Sequence, residues 1–169
     1  MPYITWNGPA PTTAALQSVT TGTAIKTMLQ LATPAARQIQ LLEWGFTLDD
    51  PPGADGVIEL VQTDVAATVV AHVAAGVAPL DPNGTPSLLT LGTSATGYTA
   101  SAEGTTTASR PFDAVSLSAV TGESPLTYTR QWMPDARPIV AVSKFLRVRA
   151  TTPTTAVDMR CWIVFNEVG

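Results

Sequence analysis

Three aspartates in one short segment are the residues best suited to hold a metal ion. Asp49, Asp50 and Asp55 supply carboxylate oxygens, which are the ligands that Ca²⁺ prefers. Their spacing lacks the alternating oxygens and the bidentate Glu of an EF-hand loop. Pro and Gly between and beside them favour a tight turn. We therefore predict a solvated turn here and no metal site in the chain.

The chain contains one histidine, His72, and one cysteine, Cys161. A structural zinc site needs more nitrogen and sulfur ligands than these, and one cysteine excludes an internal disulfide. A nucleophilic Cys–His pair requires the two side chains to meet in space, and nothing in the sequence places them together. Cys161 shares one face of a predicted strand with Met159 and Ile163, so we expect it to be buried.

Short motifs that mark common catalytic and nucleotide-binding sites are absent from the sequence. There is no Gly-x-Ser-x-Gly nucleophile turn, no phosphate loop and no dinucleotide fingerprint. A carboxylate pair for glycoside hydrolysis needs only convergence in space, and Glu43, Glu59 and Glu103 are the candidates for one. Glu43 and Glu59 are more simply explained as outward-facing charges on adjacent strands. We predict that the protein is not an enzyme and has no catalytic residues and no cofactor.

Basic residues cluster toward the C-terminus, where four of the nine occur: Lys144, Arg147, Arg149 and Arg160. Segments 145–151 and 157–165 both alternate apolar and polar residues, which predicts two strands joined as an antiparallel hairpin. On such a hairpin the three arginines share one face with Asp158. This patch either contacts an acidic partner through bidentate arginines or forms a cross-strand Arg–Asp ladder on a solvated face.

The N-terminal segment 1–22 is rich in Pro, Thr and Ala, and its prolines disfavour a helix. We predict an extended arm that docks on its own domain or on a neighbouring subunit. Tyr3, Ile4 and Trp6 are too apolar for a solvated tail, so they and the three C-terminal arginines are the predicted partner contacts. The tryptophans suit either a sugar-stacking platform or core and interface packing, and they are Trp6, Trp44, Trp132 and Trp162.

Alternating apolar and polar residues predict strands along most of segment 23–169. The strand predicted over 37–49 changes its apolar phase between Leu41 and Leu42, which indicates a β-bulge. A turn follows, and the strand over 57–62 is a candidate hairpin partner. Roughly eight or nine strands, with turn signals about every 10–15 residues, indicate a mainly β single domain. The predicted architecture is an antiparallel β-sandwich with a jelly-roll-like body.

One segment, 64–75, has helical rather than strand periodicity. Its valines recur every four residues, which predicts a short α-helix that Gly76 ends. A strand alternative stays open because residues 69–73 are also rich in β-branched side chains. The apolar run over 65–77 is too short to span a bilayer, so no membrane contact is expected.

Low charge is the main compositional feature. Only 13% of the 169 residues are charged and the net charge is −4, against roughly 25% charged residues in an ordinary domain. This acidic balance gives no general attraction for nucleic acid. It indicates either a subunit that covers its surface in an assembly or a monomer coated by its 26 threonines. The first residues lack signal-peptide character, so we expect assembly in a cytoplasm.

Four segments of the chain carry a resemblance to a known group of proteins: Pro9-Ala10-Pro11-Thr12-Thr13, Asp64-Val65-Ala66-Ala67-Thr68, Thr93-Ser94-Ala95-Thr96-Gly97-Tyr98 and Lys144-Phe145-Leu146-Arg147-Val148. With them, the chain resembles the small Ala- and Thr-rich virion structural proteins of tailed actinobacterial bacteriophages. The resemblance covers most of the length and brings no catalytic residues with it.

This resemblance implies a head decoration or minor capsid protein. Such proteins have β-sandwich or β-barrel bodies and sit as trimers on the capsid exterior, so the implied partners are the major capsid protein and two further copies of the chain. The expected role is to stabilise the head shell by subunit–subunit contacts. The alternative is a tail or head-fibre module that recognises a host surface polysaccharide through exposed aromatic residues.

Overall fold

The structure is a computed structural model that describes residues 1–9, 16–123 and 125–169. Within these residues the chain forms thirteen strands and two short 3₁₀ turns, Ala74–Gly76 and Pro134–Ala136. The strands are β1 (Pro2–Trp6), β2 (Val19–Thr20), β3 (Lys26–Ala32), β4 (Gln38–Leu48), β5 (Gly56–Thr63), β6 (Thr68–Ala71), β7 (Val77–Pro79), β8 (Gly97–Ala102), β9 (Ser109–Leu117), β10 (Thr127–Gln131), β11 (Ile139–Val140), β12 (Phe145–Thr151) and β13 (Asp158–Val168).

The strands form two antiparallel sheets. Sheet A has the order β10-β4-β13-β1-β7, with β11 also paired to β4 and β2 to β13. Sheet B has the order β6-β8-β3-β12-β5-β9. One hydrophobic cluster contains inward-facing side chains of both sheets, among them Trp44 and Phe165 of sheet A and Leu29 and Leu146 of sheet B. The prediction of a mainly β, antiparallel two-sheet body is confirmed.

Strand β4 shows how the local pattern sets the faces of the sandwich. Ile39 and Leu41 are buried, and after Leu42 the buried positions become Trp44 and Phe46. The pairing with β13 skips Leu42, because Val164 opposes Glu43 and Phe165 opposes Leu41. The extra residue keeps both halves of the strand facing the core. The predicted β-bulge is thus confirmed.

Both predicted hairpins are wrong. Strand β12 pairs with β3 and β5 in sheet B, whereas β13 pairs with β1, β2 and β4 in sheet A. Strands β4 and β5 likewise belong to different sheets. In each case the intervening turn carries the chain across the core from one sheet to the other. For β12 and β13, alternation identified the core-facing side chains correctly, but strands of two different sheets that face the same core show the same alternation, so it does not identify the pairing partner.

The predicted helix over residues 64–75 is also wrong. Residues 68–71 form β6, which pairs with β8, and only Ala74–Gly76 makes a 3₁₀ turn. Buried Val69 alternates with exposed Val70, so the period is that of a strand. β-Branched side chains suit the pleated surface better than a helix, and the free edge of β8 supplies the backbone partners.

The start of the predicted arm, β1, lies inside sheet A. It pairs with β13 on one side and with β7 on the other, so residues 2–6 dock on their own domain. Val19 and Thr20 pair with the beginning of β13. Residues 10–15, where the rest of the arm prediction falls, lie outside the described residues.

The described part of the chain contains no helix of the length and hydrophobicity that crossing a membrane would require.

Candidate functional site

The six predicted partner-contact residues lie in three different environments. Tyr3 faces the core, is 4% exposed and stacks on Phe165 with ring centroids 5.6 Å apart. Since its aromatic ring is enclosed between the sheets, Tyr3 is not a surface contact in this structure. Ile4, Trp6 and Arg160 lie on the outer face of sheet A, whereas Arg147 and Arg149 lie on the outer face of sheet B.

The outer face of sheet A carries a pair of tryptophans. Trp6 of β1 lies directly opposite Trp162 of β13, and their ring centroids are 5.2 Å apart at an angle of 39°. Both side chains are half-buried. Trp162 donates its indole N–H to Glu43 Oε1 over 2.8 Å, and Gln131 donates to Glu43 Oε2 over 2.6 Å. The indole is therefore held in one orientation by both an aromatic neighbour and a carboxylate.

Gly45 provides the space in which this indole lies. A Cβ at Gly45 would stand 2.4 Å from Trp162 Cζ2 and 2.5 Å from the carbonyl oxygen of Tyr128. The indole thus extends from β13 over the backbone of β4, which only a residue without a side chain permits. Gly45 therefore forms a niche for an aromatic ring of the neighbouring strand.

The register of the four strands places three rows of side chains across this face. Thr129, Gly45, Trp162 and Trp6 form the central row. On one side of it lies a row of Thr127, Thr47 and Arg160, and on the other a row of Gln131, Glu43, Val164 and Ile4. We call these residues the tryptophan surface. Arg160 is exposed, and no ion pair or hydrogen bond of its side chain occurs within the described residues.

Arg147 is a buried structural residue, which corrects its prediction as a partner contact. Its side chain is fully buried, and it forms an ion pair with Glu103. Its guanidinium also donates to Thr27 Oγ1 over 2.7 and 2.9 Å and to the Val65 carbonyl over 3.4 Å. Burial lowers the pKa of Arg147, while the Glu103 carboxylate opposes that shift. The contacts fasten the segments around residues 65 and 103 to the outer face of sheet B.

Arg149 lies two residues further along the same strand face. It pairs with Glu59 of the neighbouring strand over 2.6 Å, and the two side chains are 16% and 23% exposed. Arg160 lies on the opposite sheet, so the predicted patch of three arginines does not form. The alternative, a cross-strand Arg–Asp ladder with Asp158, does not form either, because Arg147 and Arg149 lie on the other sheet; the Asp158 carboxylate accepts a hydrogen bond from Thr20 over 2.5 Å.

The glutamates considered for a carboxylate pair lie on different sheets or pair with arginines, and Asp49 takes part in a turn. Glu43 is on the tryptophan surface, while Glu59 and Glu103 are paired with arginines on the other sheet. Asp49 Oδ1 accepts the Asp158 N–H over 2.9 Å, which makes it part of a turn. The described residues contain no cluster of three or more His, Cys, Asp or Glu side chains able to hold a metal ion.

His72 fastens β1 to the segment that follows β6. Its Nε2 atom lies 2.8 Å from the Trp6 carbonyl oxygen and 3.4 Å from Thr5 Oγ1, and its ring is 4.9 Å from that of Tyr98. The Nδ1 atom is buried without a hydrogen-bond partner in the described structure. Burial lowers the pKa of His72, so the neutral ring that donates from Nε2 fits this site.

Cys161 is fully buried in the main core, and desolvation raises the pKa of its thiol well above the usual value. The prediction that it is a buried hydrophobic residue is confirmed. A thiol kept protonated in an apolar environment is a poor nucleophile.

The two edges of the sandwich differ in how far they are protected from pairing with another chain. At one side, β9 and β10 are joined by Asp113, which accepts hydrogen bonds from Trp44 over 3.0 Å, Tyr128 over 2.8 Å and Arg130 over 2.9 Å. Pro111 and Arg110 on β9 further protect this edge from pairing with another chain. Trp44 is fully buried, and Trp132 is half-buried beside Arg130, so neither belongs to the tryptophan surface.

At the other side, the free edges β6 of sheet B and β7 of sheet A come from one charge-poor segment. Residues 65–102 contain Asp81 as their one Asp, Glu, Lys or Arg. Five large apolar side chains in this segment are 38–60% exposed: Val70, Val73, Leu80, Leu88 and Leu91. We call these five residues the apolar edge. Sequence reasoning predicted a helix over residues 64–75, at the start of this segment, and missed the exposed edge, although the absence of charge was visible.

No protein-family model, curated protein or solved structure matches this chain.

Proposed function

We propose that the protein is a structural subunit of a bacteriophage virion, a capsid decoration protein of the minor capsid type. It binds the exterior of the head, its partners being the major capsid protein and two further copies of itself in a trimer. Subunit–subunit contacts then stabilise the shell. The observation that carries this proposal is the apolar edge, five exposed apolar side chains in the charge-poor segment that also forms the edge strands β6 and β7.

The apolar edge is suited to contact with protein because exposed valines and leucines gain free energy when another surface covers them. Burying a whole valine side chain contributes about 1.5–3 kcal/mol. Val70 and Val73 are 48% and 60% exposed, so covering what remains contributes roughly 1 kcal/mol each. Within the segment 65–102 itself, Asp81 is the one Asp, Glu, Lys or Arg whose desolvation would oppose the contact, while Glu167 lies beside Leu88 and accepts its N–H over 2.8 Å. The edge strands β6 and β7 also offer some backbone groups for pairing, although the Val69 N–H already donates to the Thr93 carbonyl over 2.8 Å.

Charge placed on the apolar edge tests this proposal. Val70→Asp and Val73→Asp should convert a trimer into monomers in sedimentation-velocity ultracentrifugation and should reduce occupancy on purified phage heads. Val120→Asp is the matched control, because Val120 is 54% exposed and lies outside the segment 65–102. A wild-type chain that stays monomeric and does not bind heads would overturn the proposal, as would full occupancy by both edge variants.

Removal of residues 1–22 is a poor test of the arm because it also deletes β1 from the interior of sheet A. Substitution on the surface keeps the fold and changes one contact at a time. Copy number in the particle separates decoration from the alternative of a tail or head-fibre module. Three copies around each local three-fold axis of the head support decoration, and a few copies at the tail support the alternative.

A further inference from the structure

We propose that the tryptophan surface is a binding site for pyranose sugars of a polysaccharide. The inference does not depend on where in a virion the protein sits. It rests on three features of the outer face of sheet A: an aromatic pair fixed in place, a border of hydrogen-bonding side chains and a cation without a partner in the described structure.

The aromatic pair supplies the apolar half of the site. One face of a pyranose ring presents C–H groups, which pack on the π face of an aromatic ring by dispersion and electrostatic attraction. Trp162 is positioned for this role before any ligand arrives, since Gly45, Glu43 and Trp6 hold the indole from three directions. A ring that is already ordered loses little conformational entropy on binding.

The border supplies the polar half of the site. Thr129 and Gln131 of β10 are exposed beside the indole, and Thr47 lies between Thr127 and Arg160 in the adjacent row. Their hydroxyl and amide groups match the hydroxyls at the edge of a sugar ring. Neighbouring strands are about 4.8 Å apart, so the four-strand row spans roughly 14 Å, which is room for a short length of polysaccharide.

Arg160 adds a preference for acidic sugars. It lies in the row next to Trp162 and is exposed, and a guanidinium binds a carboxylate through two parallel hydrogen bonds. We therefore expect a uronate-containing polysaccharide to bind more tightly than its neutral counterpart. The polar row of Thr127, Thr47 and Arg160 borders the tryptophans on one side, and on the other side Val164 and Ile4 extend the apolar area by one row.

Binding is tested with the full chain on an array of neutral and uronate-containing bacterial polysaccharides, followed by titration of tryptophan fluorescence with the bound glycans. Trp162→Ala should weaken binding about tenfold. Arg160→Ala should weaken binding of uronate glycans several-fold and leave neutral glycans unchanged. Trp132→Ala is the matched control, because this half-buried tryptophan lies away from the surface and its loss should leave binding unchanged.

Two further variants keep the test decisive if Trp162→Ala lowers the folded fraction in circular dichroism. Trp162→Phe keeps an aromatic ring over Gly45 and should retain most of the binding. Thr129→Arg places a long side chain next to the indole on a well-exposed position and should block it. The proposal is overturned if no polysaccharide binds above the background of the array. Binding that survives both Trp162→Ala and Thr129→Arg overturns it as well.

Discussion

Removing the carboxylate that faces Arg147 should be among the most destabilising single changes on the surface of sheet B. In Glu103→Gln the side chain keeps its size and loses its charge. Arg147 is fully buried, while Glu103 is 24% exposed. Breaking a fully buried ion pair by removing one partner costs about 3–5 kcal/mol, because the other charge stays buried and unpaired.

The expected loss lies somewhat below that range. Partial exposure of Glu103 lets water reach the site, and Arg147 keeps neutral acceptors in Thr27 Oγ1, Thr106 Oγ1 and the Val65 carbonyl. Glu103 also accepts hydrogen bonds from the backbone N–H and the hydroxyl of Thr27, and a Gln oxygen replaces these only in part. We expect a decrease of about 2–3 kcal/mol in the free energy of unfolding.

Urea denaturation followed by tryptophan fluorescence measures this loss. The matched control is Glu59→Gln, which removes the partner of Arg149 and should cost less than Glu103→Gln, because Arg149 is 16% exposed and water can reach its charge, whereas Arg147 is fully buried. Arg147→Met combined with Glu103→Gln should recover part of the stability, because the buried charge is then gone. A loss below about 1 kcal/mol for Glu103→Gln, or no coupling between the two sites in the double-mutant cycle, would refute the reasoning.

Three further predictions follow from single residues. Gly45→Ala should lower the free energy of unfolding by about 1–3 kcal/mol, because the added Cβ would collide with Trp162 and with the Tyr128 carbonyl. Gly22→Ala is the control: a Cβ there has no atom nearer than 3.5 Å and should change the free energy of unfolding little. Urea denaturation of the two variants measures the difference. The lowered pKa of His72 means that its contribution is complete above the unfolded value of 6.5 and is lost as pH falls below it. The melting temperature should therefore drop from pH 7 to pH 5, and His72→Gln should remove most of that slope; an equal slope in both proteins contradicts the assignment. Cys161 should resist iodoacetamide in native protein and react in urea, as mass spectrometry will show; rapid native labelling would contradict its burial.

Strand content and burial could largely be predicted from local pattern. The phase change at Leu41 and Leu42 identified the bulge of β4, and alternation around Cys161 identified its burial. These features depend on residues that are neighbours along the chain, because successive side chains of a strand point to opposite faces. The segment 64–75 was mispredicted because valines spaced by four satisfy a strand as well as a helix, and the open edge of β8 decides between them.

The candidate sites required the tertiary structure for a different reason. Trp6 and Trp162 are 156 positions apart in the sequence, and they meet because β1 pairs with β13 in one particular register. Gly45 comes under the same indole only because β4 lies on the other side of β13. A shift of one residue in either pairing would send a tryptophan to the core face, so no local pattern contains this information.

The sequence by itself determined that the chain folds as a low-charge antiparallel β protein, and which face of most strands is buried. Periodicity and composition are enough for that, since burial is a property of each residue in its own strand. Tertiary structure alone decided which strands are neighbours. It separated Arg147 and Arg149 from Arg160, buried Tyr3, and assembled the tryptophan surface and the apolar edge. Strand pairing joins distant residues through backbone hydrogen bonds that every residue except proline can make, so side-chain pattern does not specify the partner.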